Sequence, residues 1–258
     1  MVSQMDDVGQ RTGGVWWPGN DEEPPEELPA IDVVIPALDE ESSIPLVLTS
    51  IPRSWVRRIV VVDNGSRDRT AEVAREHGAE VVTEPRRGYG SACLRGIETL
   101  SETPPEIVVF LDADYSDRPE ELPRLVAPIL EDGLELVIGS RTIGVREPGA
   151  LLPQALIGNR VACLLMELMY GYRFSDLGPF RAIRWRALEG LGMRDRDFGW
   201  TVEMQIKAAR RGVSSVEVPV SYRRRVGVSK ITGTISGTLR ASYKILYTLA
   251  RQYVDELW

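Results

Sequence analysis

Ile107-Val108-Val109-Phe110-Leu111-Asp112-Ala113-Asp114 decides how the rest of this chain reads. A continuous apolar run without alternation is a strand buried on both faces, and such strands belong to parallel sheets covered by helices. The run stops at two carboxylates separated by one residue. In open α/β sheets ligands bind beyond the carboxyl ends of the strands, so the chemistry is to be sought where this run ends.

Similar runs lie on either side. Asp32-Val33-Val34-Ile35, Ile59-Val60-Val61-Val62, Glu80-Val81-Val82 and Leu136-Val137-Ile138 read as strands, with Ser215–Val218 a later one. Amphipathic segments at roughly 42–51, 69–77, 91–101 and 119–131 fill the gaps. Strands alternating with helices predict an α/β fold with a mainly parallel sheet. After about residue 140 the rhythm loosens into helices near 155–170 and 200–211. Residues 31–230 read as one domain. Residues 1–30, rich in Gly, Pro, Asp and Glu, read as an acidic mobile extension holding Trp16-Trp17. Residues 231–258 read as an amphipathic helix with Ile235, Leu239, Ile245, Leu246, Leu249 and Tyr253 at near-helical spacing and Arg240, Lys244 and Arg251 elsewhere on the wheel. Such a helix suits covering the core, lying on anionic lipid or pairing with a second copy.

The 258 residues carry 31 Lys plus Arg against 38 Asp plus Glu, a net charge of -7. That balance argues against a general nucleic-acid binder. Its distribution is polarised: residues 1–30 hold seven acids and one Arg, and residues 201–258 ten bases and four acids. The basic end is where an anionic acceptor or membrane would be met. Two cysteines, Cys93 and Cys163, lie in apolar stretches without metal or redox spacing and are expected as buried thiols in a reducing cytoplasm. The single histidine, His77, precedes Gly78 and reads as a helix C-terminal cap, which removes multi-histidine zinc sites. No signal peptide and no apolar run of about 18 residues is seen, so a cytoplasmic protein is expected.

The strand ends supply candidate residues. The first ends in Pro36-Ala37-Leu38-Asp39-Glu40-Glu41, the second in Asp63-Asn64-Gly65-Ser66-Arg67-Asp68 and the third in Glu84-Pro85-Arg86-Arg87-Gly88-Tyr89-Gly90. Carboxylates, turn glycines and arginines thus gather on one edge, as a ligand with phosphates and hydroxyls requires. Asp112 and Asp114, two hard oxygen donors without histidine, suit Mg²⁺ or Mn²⁺ bridging a diphosphate. A second Asp-x-Asp, Asp195-Arg196-Asp197, follows no apolar run and reads as a solvated, self-neutralised loop. Gly88, Gly90 and Gly96 have the wrong spacing and place for a dinucleotide fingerprint and predict a tight turn into a helix N-terminus near the nucleotide. Asp63 can accept from a base or ribose, or serve as a turn residue beside Asn64-Gly65, with Asp68 capping the next helix.

Taken in order, Pro36 to Glu41, Val61 to Thr70, Gly88-x-Gly90-x-Ala92-x-x-x-Gly96, Asp112-Ala113-Asp114 and Val218-Pro219-Val220-Ser221-Tyr222 resemble the successive motifs of family 2 glycosyltransferases. Asp176 to Arg181 and Gly227-Val228-Ser229-Lys230 resemble the dolichyl-phosphate mannose synthase or polyprenyl-phosphate branch of that family. The resemblance covers about Ile31 to Lys244.

It implies a GT-A fold and an inverting transfer of a hexose from a UDP- or GDP-sugar to a polyprenyl phosphate. Pro36, Ala37, Leu38, Asp39 or Glu41, Asp63, Gly88, Gly90 and Ala113 would line the nucleotide site. Asp112 and Asp114 would hold the metal and diphosphate. Arg141, Arg181 and Lys230 would meet phosphates, with Arg223, Arg225 and Ser229 on the acceptor side. Asp114, Arg181, Glu203 and Lys230 are the expected catalytic residues.

The chain departs from the family pattern in three places. It has Asp63-Asn64 where two aspartates are frequent, Ser116 where the lipid-phosphate branch often has a glutamine, and Trp200-Thr201 where hydroxyl-acceptor members carry a Glu-Asp pair. A hydroxyl must lose its proton as it attacks, whereas a lipid phosphate is already anionic. The missing pair therefore favours a phosphate acceptor at a membrane surface. The alternatives are a soluble hydroxyl acceptor with Glu203 as base, Glu203 otherwise being a helix-surface carboxylate, and a nucleotide-sugar-binding module without catalysis.

Overall fold

A computed structural model describes residues 24–25, 27–227 and 244–251. Trp16-Trp17, Ser229, Lys230 and most of the expected 231–258 helix lie outside the described residues.

The strands are β1 (Ile31–Ala37), β2 (Arg58–Asp63), β3 (Glu80–Thr83), β4 (Ile107–Phe110), β5 (Leu136–Ser140), β6 (Arg181–Arg184) and β7 (Ser215–Pro219). They form one sheet in the order β3-β2-β1-β4-β6-β5-β7. β1, β2, β3 and β4 are parallel neighbours, β7 runs parallel to β5, and β6 is antiparallel to both β4 and β5. The helices are α1 (Ile44–Ser50), α2 (Thr70–Glu76), α3 (Tyr89–Leu100), α4 (Leu122–Glu131), α5 (Pro153–Tyr170), α6 (Trp185–Leu191) and α7 (Trp200–Arg210).

The pleat divides the core in two. Along β1, Val33 and Ile35 point to the face covered by α1 and α4, while Val34 points to the face covered by α3, α5 and α7. Both faces are dry, which is why these strands read as unbroken apolar runs. α3 approaches so closely that a Cβ at Gly96 would strike the Val34 side chain.

The sequence does not announce β6. Its four residues begin and end in arginine, yet Arg181 is fully buried, its guanidinium donating to the carbonyl oxygens of Gly178 and Thr201. His77 caps α2 as expected, with Nδ1 2.9 Å from the Val73 carbonyl and Gly78 following at φ +77°. Asp68 accepts the Thr70 N–H at 3.0 Å at the start of that helix. Cys93 and Cys163 are buried free thiols, and burial pushes the Cys163 thiol up to about 12.

Of the C-terminal segment, residues 244–251 are helical and cover the core. Leu249 is buried, and the Tyr170 hydroxyl donates to its carbonyl at 2.7 Å. No helix among the described residues is long and apolar enough to cross a membrane.

Candidate active site

β1 and β4 are hydrogen-bonded neighbours whose outgoing connections run in opposite directions, to β2 on one side and towards β5 and β6 on the other. A crevice opens at such a switch point. Here it is a cavity of about 580 Å³. Pro36, Ala37 and Leu38 line it from the end of β1, Asn64 from the end of β2, and Asp112, Ala113 and Asp114 from the end of β4. Arg87, Gly88, Tyr89 and Ala92 line it from the entry of α3, and Glu40, Asp197, Phe198, Arg225 and Lys244 complete the wall.

Asp112 is half-buried at the cavity wall, with its Oδ1 turned away from solvent. Burial and the adjacent Asp114 charge push its carboxyl up to about 7. Its Oδ1 has no hydrogen-bond partner among the described residues. A buried carboxylate oxygen left unmatched is costly unless a cation or proton meets it. Asp114 is held in place from two sides: its Oδ1 accepts the Ser116 N–H at 2.9 Å and the Ser116 hydroxyl, and its Oδ2 contacts the Arg225 guanidinium. Two carboxylates, one of them orphaned, fit a divalent cation that takes its remaining ligands from phosphate and water. No cluster of three or more potential ligands exists among the described residues.

The glycines after β3 shape the opposite wall. Gly88, at φ +138°, is the N-cap of α3, and a Cβ there would collide with the Arg196 carbonyl. At Gly90 it would collide with the Asp195 carbonyl. This close approach lets the Ser91 N–H donate to Arg196 at 2.9 Å and the Gly90 N–H to Asp197 at 3.3 Å. The 195–197 segment is therefore no solvated loop. Its backbone is the buttress of α3, Asp195 is nearly buried, and Asp197 lines the cavity. Lack of a preceding strand hid it, because the loop is brought in by the glycines from a distant part of the chain.

Asn64 fixes the same wall. Its amide donates to the carbonyls of Glu84 at 2.9 Å and Arg86 at 2.8 Å, and its Oδ1 accepts the Gly88 N–H at 2.8 Å. A second aspartate could not donate these bonds, which gives the Asp63-Asn64 departure a physical reason. Asp63 sits just outside the cavity lining, its Oδ1 accepting the Ser66 N–H at 3.1 Å. Asp39, in the left-handed region at φ +52°, accepts the Arg67 N–H at 2.6 Å, and Glu41 accepts the Arg69 N–H at 3.1 Å. These carboxylates knit the β1 and β2 loops together.

The predicted phosphate arginines separate into two kinds. Arg225 lines the cavity. Arg141 is locked bidentately on Asp176 at 2.8 Å per bond, with Tyr222 beneath its guanidinium, and Arg223 stacks on Tyr115 at 3.4 Å while donating to the Tyr115 and Asp117 carbonyls. Arg181 lies in the core, where desolvation drops its guanidinium to about 10, and it does not line the cavity. Nor does Glu203. It is neither exposed nor facing the cavity: its carboxylate accepts the N–H groups of Arg194 and Asp195 and pairs with Lys207 at 2.7 Å.

The sheet order, the paired aspartates beyond β4 and the glycine-bearing α3 entry are those of a GT-A fold. The model of glycosyl transferase family 2 matches residues 32–188, and the chain belongs to that family and is a glycosyltransferase. It is 42% identical to an uncharacterized glycosyltransferase of Mycobacterium tuberculosis over 82% of this chain and 94% of that one. It is 32% identical to the undecaprenyl-phosphate mannosyltransferase of Micrococcus luteus, over 79% of this chain and 88% of that one. With the dolichyl-phosphate hexose transferase of Haloferax volcanii the identity is 33%, over 77% and 85%. Among solved structures, glucosyl-3-phosphoglycerate synthase of M. tuberculosis with Mn²⁺, UDP and phosphoglyceric acid superposes with a TM-score of 0.70 at 25% identity, over 87% of this chain and 78% of that one.

Proposed function

We propose that this enzyme transfers a hexose from a UDP- or GDP-sugar, with Mg²⁺ or Mn²⁺ held by Asp112 and Asp114, to a polyprenyl phosphate, with inversion at the sugar carbon. The observation that carries the reading is Arg225 on Asp114 at the cavity wall while Glu203 is bound into the backbone elsewhere. Arg225 brings a fixed positive charge to the cavity wall, and Glu203, the expected base, does not reach it.

In this reading the walls at Pro36–Leu38 and Asn64 receive the nucleoside. A divalent cation held by Asp112 and Asp114 would supply neutralising charge to the diphosphate as the sugar departs. Arg225 adds a fixed cation beside that charge. A phosphate oxygen of the acceptor attacks the anomeric carbon, the bond from that carbon to the diphosphate breaks, and the nucleoside diphosphate leaves with the electron pair. No proton has to be removed, so no general base is required.

The relatives acting on undecaprenyl and dolichyl phosphates favour this acceptor. So does α5, where Ile157, Val161, Leu164 and Leu168 are exposed along one face and offer an apolar resting place at a membrane surface. A soluble hydroxyl acceptor is the second reading, favoured by Asp197 in the cavity wall, a carboxylate that could serve where Glu203 cannot. Incubating the protein with UDP- and GDP-sugars, Mn²⁺ and either a short polyprenyl phosphate or a phosphorylated hydroxy acid, with products identified by mass, distinguishes the two.

A further inference from the structure

The cavity contains a cation that no motif accounts for. Lys244, from the helix at residues 244–251, lines the wall together with Arg87 and Arg225. Its ammonium lies 3.1 Å from the Asp195 carboxylate, which is only 9% exposed. Asp195 is itself held: Oδ1 accepts the Asp197 N–H at 2.8 Å, Oδ2 is 3.4 Å from the Thr248 hydroxyl, and the Asp195 N–H donates to Glu203 at 2.7 Å. Gly199 leaves room for this, since a Cβ there would run into both Asp195 and Thr248. The same loop buttresses α3 through its backbone.

This construction is more than a helix anchor. Buried Leu249 and the Tyr170 hydroxyl already dock the helix. Asp195 does not line the cavity whereas Lys244 does, so the carboxylate holds the ammonium from outside the lining; the Tyr247 ring lies 5.8 Å from that ammonium, and a three-proton donor keeps capacity for a further acceptor. The cavity also holds Glu40, Asp112, Asp114 and Asp197, and Arg225 is engaged with Asp114. A lysine on a flexible stem, steered by one carboxylate, is a point charge suited to a phosphate.

We propose that Lys244 contacts a phosphate group in this cavity and that Asp195 is its positioning residue. The inference rests on the cavity being the nucleotide-sugar site. The phosphate belongs either to the donor diphosphate or to the acceptor, and the experiment separates the two sources.

The full chain and its K244Q, K244R and D195N variants are titrated with UDP and GDP in Mn²⁺, and KM and kcat are measured with a short polyprenyl phosphate. Melting temperatures confirm folding. K244Q is expected to weaken nucleoside diphosphate binding by about tenfold or more, K244R by about threefold or less, and D195N to raise the donor KM with kcat nearly unchanged. Unchanged nucleotide affinity with a raised polyprenyl phosphate KM assigns the contact to the acceptor. Wild-type values for both in K244Q, in a wild type that binds and turns over, would overturn the inference alone. A wild type that binds neither nucleotide would overturn the reading of the cavity, and this inference with it.

Discussion

The Arg225 guanidinium rests on the Asp114 carboxylate, joining the strand end expected to carry the metal to the basic stretch that follows β7. The pair, together with Ser116, keeps Asp114 oriented before any ligand arrives. Removing the cation should therefore harm transfer more than folding. Arg225→Ala is expected to lower kcat/KM by about 10²-fold or more, with Arg225→Lys recovering part of it, checked by steady-state transfer assays beside melting curves.

Asp176 and Arg141 form a second pair, this one structural. Burial alone would raise the Asp176 carboxyl, but the Arg141 charge and hydrogen bonds hold it below the usual carboxylate value. A carboxylate with a depressed folded-state pKa contributes stability above its unfolded pKa and loses it as pH falls through the folded one. Stability should thus decline below about pH 4 in part through this group. Asp176→Ala, which strands a buried guanidinium, is expected to cost about 3–5 kcal/mol in denaturant unfolding at neutral pH, with a shallower acid decline.

Gly90 tests the buttress. Alanine there drives a Cβ into the Asp195 carbonyl. The loop must move, and about 1–3 kcal/mol of stability should be lost. Weaker nucleotide binding should accompany it, because Asp197, Phe198 and Lys244 shift with the loop. Calorimetric titration with UDP or GDP reads this directly.

Glu203 and Asp197 discriminate the acceptors. With a phosphate acceptor, Glu203→Gln lowers the melting temperature by loosening Arg194 and Asp195, and turnover of the folded enzyme changes by less than about tenfold. Under a hydroxyl acceptor, Asp197→Asn would instead cut turnover by about 10²-fold or more while sparing donor binding.

The central strands and the helices between them were legible because burial on both faces writes itself as unbroken apolar runs. Asp112, Asp114, Pro36 and Gly88 were legible because the ends of those runs name the cavity edge. β6 was not, since its buried Arg181 looks like a surface residue until backbone carbonyls are found around it. Lys244, Asp197 and Phe198 carry no local signal. Asp197 and Phe198 reach the cavity through contacts across more than a hundred residues, such as Ser91 to Arg196, and Lys244 reaches it through its pair with Asp195. Glu203 is misread for a different reason: its partners are near in sequence but are two backbone amides of a loop that sequence alone leaves in solvent.

The most direct test of the account is product analysis with Mn²⁺, a UDP- or GDP-sugar and a polyprenyl phosphate, before and after chelation and in Asp114→Asn. The account predicts one hexose added to the intact lipid phosphate with release of nucleoside diphosphate, and loss of product on chelation and in the variant. Release of nucleoside monophosphate, or undiminished product from Asp114→Asn, would contradict it.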